Sequence, residues 1–111
     1  GNYITFSPAG VGIYPSGSII RTNSSGYPFI GFLKNNESWI TPVAEYYTSE
    51  YTVPAGKKLF ITSSLSAIGF KDQTNTFRYG LNPSDGKALM FAANSTIRGE
   101  SYGWTGYLID E

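Results

Sequence analysis

Apolar and polar positions alternate along much of this chain, and turn residues interrupt the alternation about every eight to twelve positions. The clearest stretch is Tyr51–Thr62, which predicts a short strand, a tight turn and a long strand. Pro54 presets the φ angle wanted at the second position of a turn, and Gly56 accepts a positive φ that a residue with a Cβ resists. Beyond the turn, Leu59 and Ile61 oppose Thr62 and Ser64, the period of a strand with one wet face. The class is all-β.

The same pattern predicts further strands over 2–7, 18–22, 29–33, 39–47, 76–79, 87–93 and 102–109, with a short apolar piece at 11–14. Pro42 inside the 39–47 run predicts an edge strand or a bulge. The long strand is expected to continue from Lys58 to Phe70, bending at Gly69. Asn82-Pro83-Ser84-Asp85-Gly86 reads as the best hairpin turn, because Asp-Gly suits the positive φ angles of a tight reversal. Polar segments at 71–75 and 94–100 read as connections. No 3.6-residue apolar period lasts two clean helical turns. The ambiguous Lys87–Ala93 run is assigned to β from its Asp-Gly entry and its neighbours. Frequent turns between short strands predict an antiparallel β-sandwich or barrel.

With 111 residues and no dividing linker, residues 1–111 form a single domain large enough to bury a core. A formal net charge of +0 gives no global field for nucleic acid or an anionic membrane. No apolar run reaches the length of a membrane-spanning helix. The opening Gly1-Asn2-Tyr3 lacks the basic and apolar regions of a signal peptide and is expected of a processed or excised fragment. Only 14% of residues are charged, and small neutral polar residues abound, as on secreted, viral and adhesive β-proteins.

Candidate chemistry is thin. The chain has no Cys, hence no disulfide framework and no thiolate, and no His for proton shuttling or zinc. Its eight acids are scattered, its Ser residues lack a His partner, and there is no nucleophile elbow. No catalytic residue, metal or cofactor is therefore expected. Asp72, Gln73 and Asn75 share a polar tip, but their spacing matches no calcium loop. Aromatic residues make up 16% of the chain, serving core packing, a contact surface, or both. Trp39, Tyr46, Tyr47 and Tyr79 are the exposed-aromatic candidates. Aromatic faces stack on sugar rings, and Trp39 has Asn35, Asn36 and Glu37 beside it to bind hydroxyls, while Tyr79 follows Arg78.

The Val53-Pro54-Ala55-Gly56-Lys57-Lys58 turn leading into Leu59–Ser64, then Ser95-Thr96-Ile97, then Gly103-Trp104-Thr105-Gly106-Tyr107-Leu108-Ile109, resembles small jelly-roll modules at the C-termini of bacteriophage fibres and related virion surface proteins. The closing Gly-Tyr-Leu-Ile strand is also similar to the last strand of trimeric complement/tumour-necrosis-factor type jelly rolls. The resemblance spans about Tyr51 to Ile109 and implies a homotrimer with its last strand near the three-fold axis. Tyr102 and Trp104 fall on one face of that strand, Tyr107 and Ile109 on the other, and Gly106 permits close backbone approach. Tyr102, Trp104 and Tyr107 are therefore the subunit-interface candidates.

The resulting expectation is an antiparallel jelly-roll sandwich on a virion surface, meeting other virion proteins and binding a host glycan or protein. The ligand-binding candidates are Asn35, Asn36, Glu37, Trp39, Asp72, Asn75 and Tyr79. Neutral groups around Trp39 predict binding that depends weakly on salt. A purely structural capsid-stabilising protein and a bacterial carbohydrate-binding module are the rival expectations.

Overall fold

The computed structural model describes residues 4–5, 12–21, 33, 35, 39–45, 49–83 and 87–111. Among the described residues ten strands run in order: β1 (Ile4–Thr5), β2 (Ile20–Arg21), β3 (Ile40–Glu45), β4 (Tyr51–Thr52), β5 (Lys57–Ser64), β6 (Ile68–Lys71), β7 (Phe77–Leu81), β8 (Leu89–Phe91), β9 (Thr96–Gly99) and β10 (Trp104–Asp110). Among the described residues there is no helix. The Lys87–Ala93 run contains a strand, as its neighbours predict. β1 and β2 form a separate parallel pair.

The other eight strands make two antiparallel sheets, packed as a β-sandwich. The first has the order β3-β10-β5-β8 and the second β4-β9-β6-β7. The pairing is nested: β6 pairs with β7, β5 with β8, β4 with β9 and β3 with β10. Two further pairings, β5 with β10 and β6 with β9, complete the sheets.

The interior follows from side-chain alternation. On β5, Leu59, Ile61 and Ser63 are buried between half-buried neighbours. Val53, Leu59, Ile61, Ile68, Phe91, Ile97, Trp104 and Leu108 form one core fed by both sheets. Tyr51 of the second sheet meets Trp104 of the first edge-to-face, with ring centroids 5.5 Å apart. Each buried aliphatic side chain contributes about 1.5–3 kcal/mol. Exposed ion pairs such as Lys57–Asp110 contribute about 0–1 kcal/mol, so burial dominates.

Several local expectations hold, and several need correction. Pro42 does lie on an edge strand, opposite Tyr107. Gly106 does permit close approach: a Cβ there would lie 2.0 Å from the Phe60 carbonyl oxygen, beside a bulge in the β5–β10 ladder. The Pro54–Lys57 turn forms, but Lys57 N–H donates to the Pro54 carbonyl at 3.2 Å. Pro54 thus stands at the first position, with Gly56 third at φ 79°, a type II arrangement.

The predicted long strand from Lys58 to Phe70 is two strands in opposite sheets. Its break falls at 65–67, where the Ser66 hydroxyl accepts from the backbone N–H groups of Ser101 and Tyr102, both at 3.1 Å. Serine hydroxyls offer the backbone an alternative to the ladder, and here they hold the crossing. Asn82–Gly86 does not join a hairpin either, since β7 and β8 belong to different sheets; residues 84–86 lie outside the described residues. The predicted connection at 94–100 contains β9, an interior strand whose Ile97 is fully buried. The last strand begins at Trp104, leaving Tyr102 in a bend before it. The expected strand at 29–33 lies outside the described residues except for exposed Leu33.

Candidate functional site

The predicted site residues divide between the two sheets. Trp39, 55% exposed, immediately precedes edge strand β3 of the first sheet. Asp72 and Asn75 lie in the β6–β7 hairpin of the second. Both lie at the end of the sandwich where the Pro54–Lys57 turn joins β4 of the second sheet to β5 of the first. Ile40 lies at the level of Ile109 and Lys58, while the hairpin lies beyond Phe70, itself level with Ile97. Asn35 is exposed; Asn36, Glu37, Tyr46 and Tyr47 lie outside the described residues.

The Asp72 carboxylate is committed within its own turn. Its Oδ1 accepts from the Thr74 N–H at 2.8 Å, the Thr74 hydroxyl at 2.7 Å and the Thr76 N–H at 3.0 Å. Its Oδ2 accepts from Arg78 Nε at 2.8 Å. The Thr74 hydroxyl first, then the guanidinium and the Thr76 amide, hold its pKa well below the usual carboxylate range. Asn75 supplies the left-handed residue of the turn, at φ 64°. These two residues build the hairpin and present little free chemistry.

The hairpin instead supports an aromatic and cationic cluster on the outer face of the second sheet. Alternation turns Ile97 inward and Arg98 outward on β9. On β7, Phe77 and Tyr79 share the outer side, with centroids 6.2 Å apart and planes 25° apart. The Tyr79 ring lies over Gly69, where a Cβ would come within 2.5 Å of two ring carbons. Only glycine leaves that space. Arg98 pairs with Gly69 across the β6–β9 ladder. Its guanidinium carbon sits 4.1 Å from the Phe77 ring centroid, and its Nε donates to the Tyr79 hydroxyl. Lys71 lies 5.3 Å from the same Phe77 centroid and pairs with Glu50 at 3.1 Å.

Of these residues the sequence predicts a binding role for Tyr79 alone; Gly69 is expected only as a bend, and nothing singles out Phe77 or Arg98. A usable signal was present: Phe77 and Tyr79 are two residues apart on one strand and must share a face.

The subunit-interface candidates also separate. Trp104 is 1% exposed within this chain's own core, whereas Tyr102 is 51% exposed. Tyr107 stacks on Phe60 on the outer face of the first sheet, at 5.3 Å and 15°. Cross-strand register extends this pair into a row, Pro42–Tyr107–Phe60–Met90, crossing all four strands. Near the other end of that face, Ile13 N–H donates to Thr105 Oγ1 at 3.2 Å, so the segment around Ile13 lies over the sheet there.

Among the described residues no three acids converge on a position that could hold a metal ion. No protein-family model, curated protein or solved structure matches this chain.

Proposed function

We propose that this chain is a jelly-roll recognition module of a virion surface, homotrimeric, binding a host-surface glycan through the outer face of the β4-β9-β6-β7 sheet. The observation that carries the binding reading is the Tyr79 ring laid over Gly69 and hydrogen-bonded by Arg98. A ring fixed in this way presents electron-rich surface at little entropic cost. The slightly positive C–H groups of a sugar ring stack on such a surface. Thr52 and Thr96, joined hydroxyl to hydroxyl at 2.9 Å on neighbouring strands, add neutral polar groups to the same sheet.

Support for the jelly-roll reading is the nested pairing of strands β3–β10. An eight-stranded hairpin folded across two sheets has this order, with its strands distributed four and four. Support for the trimer is the apolar row through Tyr107, which offers three copies a contact surface; Tyr102 stands exposed before the same strand. The virion setting rests on the resemblance of the Tyr51–Ile109 turns and strands. Several weak sites on one trimer would act together through effective concentration.

The experiment is a glycan array probed with wild type, Tyr79→Ala and Trp39→Ala. Binding lost with Tyr79→Ala and kept with Trp39→Ala is the expected result. Loss only with Trp39→Ala moves recognition to the loop before β3. No binding by the wild type favours the purely structural capsid protein, and binding by a monomer favours a bacterial carbohydrate-binding module.

A further inference from the structure

Three cations lie on or beside the second sheet's outer face, and their partners differ. Lys71 is neutralised by Glu50 at 3.1 Å, and Arg78 by Asp72 at 2.8 Å. Arg98 has no carboxylate partner among the described residues. Its Nε is engaged by the Tyr79 hydroxyl and its plane is held over Phe77, so its position is fixed by neutral groups. This leaves the two terminal nitrogens, the fork that matches a carboxylate, without a protein acceptor among the described residues. Glu50 and Asp72 are already paired, with Lys71 and Arg78.

We propose that Arg98 is the anchor of a sugar-acid subsite: its terminal nitrogens grip the carboxylate of an acidic monosaccharide while the sugar ring packs on Tyr79. This inference rests on the glycan-binding reading above and names its ligand class. Charge complementarity selects the occupant. A neutral sugar would leave the terminal nitrogens of Arg98 to water, whereas a sugar acid would use the fork and the aromatic surface together. A hydrogen bond to a charged group is worth about 1.5–3 kcal/mol, so the acid should bind about ten- to a hundredfold more tightly than an uncharged analogue. Only one charge pair is made, so added salt should weaken binding modestly.

The test titrates the full chain with oligosaccharides ending in a hexuronic or nonulosonic acid, and with the methyl esters of the same compounds. The ester keeps the ring and removes the charge. Tighter binding of the acid, with the preference abolished in Arg98→Gln at unchanged melting temperature, is the expected result. Acid and ester binding equally well would overturn the sugar-acid subsite while leaving the glycan-binding reading intact. Binding of neither compound, nor of any neutral glycan, would overturn both. The comparison of acid with ester on the wild type stands even if Arg98→Gln fails to fold. Preference for one acid class over the other would identify which sugar the subsite takes.

Discussion

Trp104 and Gly106 stand two positions apart on β10, and each is constrained by a different force. Trp104 fills the core against Tyr51, so its removal leaves a cavity that surrounding strands cannot close. Trp104→Ala is expected to cost about 3–5 kcal/mol, read from the midpoint of a denaturant titration. Gly106 is constrained by backbone, since the Phe60 carbonyl occupies the space a Cβ would need. Gly106→Ala should cost about 1–3 kcal/mol through displacement of β5 from β10. Gly69→Ala tests a third kind of constraint, because the group displaced is the Tyr79 ring. That variant should reduce glycan binding as much as Tyr79→Ala does, with a smaller loss of stability than Gly106→Ala; equal binding to wild type would show that the seat of Tyr79 is immaterial.

The β6–β7 hairpin is held by one carboxylate acting as acceptor for four donors. Its folded pKa lies below the ordinary aspartate value of 3.8, so the ionised form is the one the fold favours. Stability from this turn is therefore fully present above that value and is lost as pH falls through the lower, folded value. The Thr74 and Thr76 amide resonances should hold steady through mild acid and move only at still lower pH. Asp72→Asn should loosen the hairpin at neutral pH, seen as faster amide exchange at Thr76.

How much of the elements could be read from the sequence depended on whether local or distant atoms decide them. The turn before β5 was legible because Pro54 and Gly56 act through their own dihedrals, although the position of Pro54 within it was misplaced. Pro42 likewise marked an edge from its missing N–H alone. β9 was hidden because Asn94 and Ser95 before it and Arg98 and Gly99 within it give the segment the composition of a loop, and only burial of Ile97 by the opposite sheet makes it a strand. The crossing at 65–67 was hidden for a related reason: Ser66 is held by Ser101 and Tyr102, some 35 positions away in sequence. Tyr79 was legible as an aromatic beside a cation. Its actual cation partner is Arg98, 19 positions away, which sequence spacing could not supply.

For the whole molecule, the proposed function gives the sandwich's two outer faces different tasks: the apolar row through Tyr107 would serve assembly, and the Tyr79–Arg98 cluster recognition. Sedimentation equilibrium should therefore return about three times the 12.1 kDa chain mass, and Phe60→Lys should shift it toward the monomer. The recognition claim is the central one, and NMR mapping of the isotope-labelled wild-type chain during titration with a bound glycan tests it most directly. The largest amide shifts are expected to cluster at Gly69, Phe77, Tyr79 and Arg98. Shifts confined to Trp39 and its neighbours, or to the Pro42–Met90 row, would contradict it.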